Sequence, residues 1–279
     1  MYEILAKEDL APIIKLMVIA APDVARKAKA GQFVIVRASE EGERIPLTIA
    51  DYDREEGTIT LVFQEVGKTT MHLGTMEVGD ELASLTGPLG NPTEIENYGT
   101  VICAAGGLCI ALVFPIARAL REAGNYVISI IGARNKELLF WEDKIRSVSD
   151  ELIVCTDDGS YGRKAFVVHP LKELLETRSG IGHIWVIGLA IMMKFTSLAT
   201  KPFNVPTTVS LNSIMVDGTG MCGSCRCEVG GETRFACVHG PEFDGHQVDW
   251  DLLLARQRVY LDEEKQSLEL FEQQRKAQH

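Results

Sequence analysis

The feature that most restricts the fold is a glycine-rich segment near the C-terminus that holds four of the chain's seven cysteines. These are Cys222, Cys225, Cys227 and Cys237, within residues 211–248. The segment carries too little apolar surface to build a hydrophobic core of its own. Segments of this kind fold around a bound metal centre, because the binding free energy also stabilises the fold. The sequence therefore predicts that an inorganic centre organises this part of the chain.

The spacing of the candidate ligands is typical of a 2Fe-2S site. Cys222, Cys225 and Cys237 follow the C-x4-C-x2-C…C pattern of plant-type clusters, with Asp217 at the position of the first cysteine. Thiolates are the soft ligands that iron–sulfur clusters select, and the intervening glycines let the backbone turn its amides toward the cluster. We therefore predict that Asp217, Cys222, Cys225 and Cys237 bind the iron.

Two other interpretations of these residues stay open. The four cysteines form a set that a structural zinc ion also binds. Alternatively, all four thiolates bind the iron–sulfur cluster, with Cys227 as the fourth ligand and Asp217 only capping a turn. In the main prediction Cys227 is a buried thiol outside the site.

Hydrophobic periodicity divides the rest of the chain into two patterns. Residues 1–97 read as short strands separated by turn signals, which predicts a small antiparallel β-barrel. Residues 98–210 alternate apolar strands with helices, including a helix over 114–123, which predicts a parallel sheet wrapped by helices. The predicted fold class is a β-barrel plus an α/β domain, followed by the cluster segment at 211–248 and a helical arm at 249–279.

The α/β half carries turns of the kind that bind a dinucleotide. Gly106 and Gly107 follow the strand over 101–105 and precede a helix, where backbone amides and the helix dipole favour phosphate. Polar turns also follow the later strands, at the edge where an open α/β sheet binds its ligand. Each turn alone is ordinary, but the set predicts a nucleotide site that also includes Arg134 for phosphate or ribose, Asp157 or Asp158 for a ribose hydroxyl, Gly188 and Met192.

Two turns of the barrel combine cations, a proline and hydroxyl groups. The first holds Arg44, Pro46, Leu47, Thr48 and Ala50. The second holds Gly67, Lys68, Thr69 and Thr70, whose amides and hydroxyls suit a pyrophosphate. Spacing alone does not identify a flavin site here, because each run taken separately reads as an ordinary turn.

The last segment, residues 249–279, is charged and predicted to be helical. Its apolar positions form a near-heptad stripe of Trp250, Leu254, Leu261, Leu268 and Phe271. The stripe suits two arrangements, a helix packed on its own domain or an arm that grips a partner subunit. The sequence leaves both open.

Composition argues against several classes of function. The formal net charge of −11 opposes broad attraction to phosphate backbones or anionic membranes, so no nucleic-acid partner is expected. The chain has no leader with a basic stretch and an apolar core, and no run of about 18 apolar residues, so neither secretion nor a membrane span is expected. The distribution of the cysteines fits a reducing compartment with one metal site, and the predicted location is the cytoplasm.

Taken in order, these runs resemble the ferredoxin-reductase superfamily over nearly the entire chain. The runs at 44–48, 67–70, 87–92, 106–111, 156–162 and 188–193 and the cysteine loop follow its arrangement. More narrowly, they are similar to the electron-transfer subunits of dihydroorotate dehydrogenase and sulfide dehydrogenase. Asp217 and the run 240–250 are most similar to the small subunits of NADH-dependent reduced-ferredoxin:NADP oxidoreductases.

The resemblance implies a set of cofactors and a partner. It implies FAD in the barrel groove at the two barrel turns, NAD(H) across the sheet edge, and a 2Fe-2S cluster at the cysteine loop. It also implies a heterodimer with a larger flavin and iron–sulfur subunit whose flavin bifurcates electrons. Ferredoxin and NADP(H) then react through the partner, while this chain handles NAD(H). Such chemistry belongs to the cofactors and needs no side-chain nucleophile.

Several positions depart from the family pattern. Family members usually have glycine at the position of Cys109, and proline at the positions of Leu112 and Leu189. Bulkier side chains beside the turn are expected to weaken dinucleotide binding or to alter its geometry. Arg44 also stands two residues before Pro46, whereas related subunits often have arginine directly before the proline.

Two alternative functions follow from the same residues. A dihydroorotate dehydrogenase electron-transfer subunit uses the same cofactors but usually has a fourth cysteine ligand. A zinc-stabilised nucleotide-binding subunit without a redox role is the more distant alternative, and it would be colourless when pure.

Overall fold

The computed structural model describes residues 2–278, with side chains as far as residue 276, and its N-terminal half is an antiparallel barrel. The barrel strands are β1 (Tyr2–Ala11), β2 (Ile14–Ala20), β3 (Phe33–Arg37), β4 (Ile45–Asp53), β5 (Thr58–Gln64), β6 (Glu81–Leu82) and β7 (Ser84–Leu89). They pair in the order β6, β1, β2, β5, β4, β3 and β7. β6 and β7 lie at opposite ends of this order but follow each other directly in the chain, so the sheet is nearly closed. The predicted barrel is confirmed.

Alternating side chains fill the barrel interior, as the two-residue period of a strand requires. On β3 these are Val34 and Val36, and on β5 they are Ile59, Leu61 and Phe63. Two helices, α1 (Pro22–Ala25) and α2 (Lys68–Thr75), contribute Val24 and Leu73 to the same core. The residues between the interior positions of β3 therefore face outward.

The second half of the chain is a parallel sheet with helices on both faces. Its strands are β8 (Thr100–Gly106), β9 (Tyr126–Ala133), β10 (Glu151–Thr156), β11 (Arg163–Lys164), β12 (Ile181–Ile187) and β13 (Thr207–Ser210). Its helices are α3 (Ile110–Glu122), α4 (Glu142–Ser147), α5 (Val168–Thr177) and α6 (Ala190–Thr200). The predicted α/β fold is confirmed, and α3 begins four residues before the helix that the sequence predicted.

The cysteine segment is joined to this sheet rather than separate from it. It contains a hairpin of β14 (Arg226–Val229) and β15 (Glu232–Phe235), the short helix α7 (Ala236–His239) and the strand β16 (Glu242–Asp244). β16 pairs antiparallel with β13 and becomes the edge of the sheet, which runs in the order β11, β10, β9, β8, β12, β13 and β16. The sheet therefore anchors the segment that carries the cysteines.

The barrel and the α/β half share one apolar core. Ala50 and Val62 of the barrel pack in the same cluster as Ile110 and Phe114 of α3. At the rim of this interface, Asp51 Oδ1 lies 2.8 Å from Arg118 and Oδ2 lies 3.0 Å from Lys144 Nζ. Apolar burial and these two ion pairs of Asp51 fix the orientation of the two halves.

A buried carboxyl lies where the barrel, the sheet and the cysteine segment meet. Glu242 Oε1 on β16 accepts a hydrogen bond from Thr93 Oγ1 at 2.7 Å. The junction is tight, because a Cβ atom on Gly31 would lie 2.3 Å from that hydroxyl oxygen. Burial raises the pKa of Glu242 to about 7.

The C-terminal segment forms two helices instead of one continuous helix. Its elements are α8 (Trp250–Arg256) and α9 (Leu261–Gln278). Trp250 is buried in the core on the cysteine side of the sheet, whereas α9 turns back to contact α2 of the barrel. The predicted stripe is therefore interrupted between its second and third members. Within residues 2–278, none of the helices combines the length and apolar character that crossing a bilayer requires.

Candidate functional site

Two of the predicted iron ligands lie together against the barrel. Cys225 and Cys237 are buried, and their Sγ atoms are 3.2 Å apart. Both pack in a small core with Phe33 and Ile35, the outward-facing residues of β3. The cysteine segment therefore sits directly on the barrel strand that pairs with β4.

The turn after Asp217 joins the other two predicted ligands. Asp217 Oδ1 accepts a hydrogen bond from the Thr219 amide at 2.8 Å, and Oδ2 accepts one from the Cys222 amide at 2.8 Å. These backbone donors, Thr219 first, hold the pKa of Asp217 below its ordinary value. Asp217 thus caps this turn, and an ionised carboxylate keeps free lone pairs after two such bonds.

Cys222 is the exposed member of the set. Hydrogen bonding from Ser224 lowers the pKa of Cys222, which favours the thiolate that binds metal. Among residues 2–278, no three His, Cys, Asp or Glu side chains converge as the ligands of a single metal ion would. A two-iron cluster divides its four ligands between two atoms, and this arrangement offers two pairs, Asp217 with Cys222 and Cys225 with Cys237. The donor set therefore fits a 2Fe-2S cluster.

Cys227 lies apart from these four residues. Its Sγ donates to the carbonyl oxygen of Arg234 at 3.6 Å, and its side chain packs in a different core with Val248 and Leu253. Burial raises the pKa of Cys227 to about 11, so the thiol is protonated at neutral pH. The structure thus packs Cys227 in a different core from Cys225 and Cys237, as the main prediction requires, and the identity of the fourth iron ligand stays a prediction.

The first predicted flavin turn runs along β4, next to the cysteine segment. Pro46 is opposite Ile35 and Thr48 is opposite Phe33 in the β3–β4 ladder. Ala50 is buried and Leu47 is half-buried, while Arg44 is exposed. Neighbouring strands lie about 4.8 Å apart. The flavin turn and the paired thiols Cys225 and Cys237 are thus separated by a single strand.

The second predicted flavin turn begins α2. The Gly67 amide donates to Thr70 Oγ1 at 3.1 Å. Thr69 Oγ1 donates to Glu43 Oε2 at 3.0 Å, and Lys68 Nζ lies 3.8 Å from Glu43 Oε1. Two of the donors predicted for a pyrophosphate, Lys68 and Thr69, are thus directed at the carboxylate of Glu43.

The predicted nucleotide residues Gly106, Gly188 and Met192 meet at the carboxyl edge of the parallel sheet. A Cβ atom on Gly106 would lie 2.7 Å from Sδ of Met192, and one on Gly188 would lie 2.6 Å from the same atom. A Cβ atom on Gly107 would meet nothing within 4 Å. Met192 therefore covers Gly106 and Gly188, whereas Gly107 presents open backbone that a dinucleotide can approach closely, which fits the predicted ligand.

The remaining predicted nucleotide residues lie farther along the same edge. The amides of Asp157 and Asp158 donate to the carbonyl oxygens of Ala133 at 3.0 Å and Arg134 at 3.2 Å. The side chains of Arg134, Asp157 and Asp158 are exposed. Partial desolvation by the neighbouring backbone and side chains raises the pKa of the Asp157 carboxyl, whereas hydrogen bonds from Ser160 lower the pKa of Asp158. Both carboxylates are available to ribose hydroxyls.

The three departures from the family pattern surround the glycine turn. Cys109 precedes α3, and burial raises its pKa to about 12. Leu112 is half-buried, whereas Leu189 is 71% exposed beside Gly188. Leu189 therefore adds apolar surface beside the predicted nucleotide site.

Comparison with known proteins places the chain in a family. The model of the iron–sulfur cluster binding domain of dihydroorotate dehydrogenase B matches residues 212–249. A Thermotoga maritima protein described as a homologue of the electron transfer subunit of dihydroorotate dehydrogenase B (NAD(+)) is 49% identical over 96% of this chain and 95% of its own length. The electron transfer subunit of Desulforamulus reducens is 34% identical over 89% of this chain and 97% of its own. The chain belongs to the family of dihydroorotate dehydrogenase B electron-transfer subunits and their homologues.

Two solved structures show, respectively, a similar relative of this chain and the wider group of proteins that share its fold. A chain of the NADH-dependent reduced ferredoxin-NADP oxidoreductase, studied for flavin-based electron bifurcation, matches with a TM-score of 0.91 and 48% identity over 97% of this chain and 98% of its own. Phthalate dioxygenase reductase matches with a TM-score of 0.58 and 18% identity, which shows the shared fold. The family predicted from the sequence motifs is confirmed.

Some residues of the site were not singled out from the sequence. Phe33 and Ile35 form the contact between the barrel and the paired thiols, and Glu43 faces the pyrophosphate donors. A signal for the first two exists in the sequence, because they alternate with the interior Val34 and Val36. Large apolar residues on the outer face of a barrel strand indicate that another element covers them.

Proposed function

We propose that this chain is the electron-transfer subunit of a flavin-based electron-bifurcating NADH-dependent reduced-ferredoxin:NADP oxidoreductase. It carries electrons between NAD(H), an FAD and a 2Fe-2S cluster, and exchanges them with a larger flavin and iron–sulfur subunit in a heterodimer. Ferredoxin and NADP(H) react through that partner, and the complex works in the cytoplasm. The 48% identity over almost the whole length of a chain of that enzyme type supports this assignment.

One observation carries the proposal more than any other. Strand β3 has the flavin turn of β4 on one side and the thiols of Cys225 and Cys237 packed against its outer residues Phe33 and Ile35. Electron transfer between cofactors needs a short, rigid separation. A single strand fixed between two layers supplies it.

We propose that Asp217 and Cys222 bind one iron atom and that Cys225 and Cys237 bind the other. The backbone bonds to both Asp217 oxygens orient that carboxylate toward the turn that carries Cys222. Cys227 stays a protonated thiol in the neighbouring core. A carboxylate is a harder ligand than a thiolate, so Asp217 changes the reduction potential of the cluster.

The residues on the barrel and the sheet hold the organic cofactors. Lys68, Thr69, Thr70 and the amide of Gly67 bind the flavin pyrophosphate, with Arg44 beside it, while the β4 residues Pro46, Leu47, Thr48 and Ala50 line the flavin ring. Gly106, Gly107, Gly188 and Met192 receive the nicotinamide nucleotide, and Arg134, Asp157 and Asp158 contact its phosphate or ribose. When bound, the nicotinamide and flavin supply hydride transfer and the cluster accepts single electrons. The protein excludes water and sets the distances between them.

Anaerobic titration of the purified chain tests this proposal. Iron and zinc are quantified, and visible spectra are recorded after NADH and, separately, NADPH is added. We expect flavin and iron–sulfur absorption that NADH bleaches at lower concentration than NADPH does. A colourless protein that contains zinc would refute the proposal.

The dihydroorotate dehydrogenase role is the second candidate function, because the 34% identical relative carries that name. The two roles differ in the partner that co-purifies with the chain. We expect a complex that reduces NADP with reduced ferredoxin and NADH. A complex that oxidises dihydroorotate with NAD as acceptor would establish the alternative.

A further inference from the structure

A cavity of about 340 Å³ lies between the barrel and the C-terminal helix. Three elements line it: the loop 38–43 that follows β3, the first residues of α2, and Gln274 of α9. We call it the α2–α9 cavity. Its volume falls within the range of about 300–1,000 Å³ that is typical of small-molecule sites.

The polar residues of the α2–α9 cavity include the pyrophosphate donors described above. Lys68 and Thr69 are on its wall, and Glu43 faces both of them. The cavity is therefore continuous with the place where the proposed function puts the flavin diphosphate. If the pyrophosphate of a dinucleotide binds at Lys68 and Thr69, the nucleoside attached to it lies inside the cavity.

The far wall of the cavity comes from the C-terminal helix. The Phe271 ring lies 6.2 Å from the His72 ring of α2, with an angle of 44° between the planes. His72 also lines the cavity, as does Gln274, one turn beyond Phe271 on the same face of α9. The neighbouring residue Leu270 is 52% exposed. A defined face of α9 therefore packs against α2.

These contacts supply what an adenosine group requires. The ring of His72 can stack on a purine, and the Gln274 amide offers both a donor and an acceptor to its edge. We propose that α9 is the outer wall of the site for the adenosine half of FAD, with Phe271 holding the helix in place and Gln274 contacting the adenine. This inference rests on the proposed function, and it makes α9 the element that distinguishes FAD from FMN, which has no adenosine.

The test compares two substitutions on adjacent positions of α9. The full-length flavin-free chain and its Phe271→Ala and Leu270→Ala variants are titrated separately with FAD and FMN, and dissociation constants are read from flavin fluorescence. We expect Phe271→Ala to raise the dissociation constant for FAD about tenfold and to leave that for FMN unchanged. Leu270→Ala, the matched control on the exposed face, leaves both constants unchanged.

A third variant separates contact with the ligand from the position of the helix. Gln274→Ala removes one hydrogen-bonding group and is expected to weaken FAD binding about fivefold, again without an effect on FMN. Far-ultraviolet circular dichroism confirms that each variant is folded. If Phe271→Ala does not fold, Gln274→Ala alone decides between the outcomes.

Three results would overturn the inference. Equal loss of FAD and FMN affinity would show that α9 only stabilises the barrel. Unchanged FAD affinity in both Phe271→Ala and Gln274→Ala would show that adenosine lies elsewhere. A wild-type chain that binds neither flavin would remove the proposed function as well, and this result is distinct from the other two.

Discussion

A methyl group added at Gly218 tests whether the cysteine loop packs on the barrel. A Cβ atom on Gly218 would lie 2.7 Å from Leu89 Cδ1 and 2.8 Å from Ile35 Cγ1, well inside the optimal carbon separation of about 3.5–4.0 Å. Gly218 also has φ +74°, a left-handed conformation that disfavours alanine. Gly218→Ala is thus penalised by the backbone and by contact with β3 and β7.

The two penalties have separate magnitudes. The left-handed backbone costs an L-residue about 1–2 kcal/mol, and forcing an extra methyl into a packed contact costs about 1–3 kcal/mol. Gly231, in the hairpin turn between β14 and β15, has φ +78° and no atom within 4 Å of its Cβ position. Gly231→Ala therefore carries the backbone penalty alone.

Thermal unfolding of the two variants, followed by visible circular dichroism of the cluster, measures the difference. At roughly 3 °C per kcal/mol for a chain of this size, Gly218→Ala should unfold roughly 3–9 °C below Gly231→Ala. Gly218→Ala should also lose cluster signal on heating before the barrel unfolds. If both variants lowered the midpoint equally, the loop would not be packed on Leu89 and Ile35, and the close approach of cluster and barrel would be wrong.

Further substitutions test the ligand set and the buried carboxyl. Cys225→Ser should abolish the iron–sulfur absorption, whereas Cys227→Ser should leave it intact; loss in both would return Cys227 to the site. Asp217→Cys should keep the cluster but change its reduction potential, and an unchanged potential would remove Asp217 from the iron. Burial raises the pKa of Glu242 to about 7 from 4.5, so the folded chain binds more protons in that window and stability falls as pH rises through it. Glu242→Gln should lack this fall of roughly 3 kcal/mol in the free energy of unfolding, which denaturant titrations measure at each pH. If the free energy of unfolding changed equally with pH in both proteins, Glu242 would not be buried.

The two main layers could be predicted because their patterns are local. The two-residue alternation of β3 and β5 and the strand–helix alternation of residues 98–210 both follow from neighbouring positions. β16 is different, because its three residues pair with β13 across the whole intervening cysteine segment. Pairing over such a separation leaves no periodic signal in a strand so short. The link between the cysteine segment and the sheet therefore needed the structure.

The position of Cys227 illustrates a limit of spacing arguments. Cys225 ends the turn that precedes β14, whereas Cys227 lies within that strand and faces the core beneath it. Where a strand begins decides which of two nearby thiols reaches the cluster, and strand boundaries are poorly determined by sequence. The spacing leaves Asp217 and Cys227 as alternatives, and the direction of the Cys227 side chain is the observation that supports Asp217.

The break between α8 and α9 also lay beyond the sequence pattern. The apolar residues of 249–279 fit one stripe, yet Trp250 packs with the sheet and Phe271 with His72 on the barrel. Tertiary contacts at the two ends outweigh the local preference for a continuous helix. For the same reason His72 and Gln274 carried no sequence signal as neighbours, because 202 positions separate them.

Rapid anaerobic mixing with NADH tests the central claim most directly. Flavin and cluster absorption are followed together in the wild-type chain and in Cys225→Ser. We predict that the wild-type flavin is bleached first and that the cluster follows, whereas Cys225→Ser shows flavin bleaching at the same rate and no cluster phase. Cluster reduction that precedes flavin bleaching, or flavin that NADH leaves oxidised in both proteins, would contradict the proposed route of electrons.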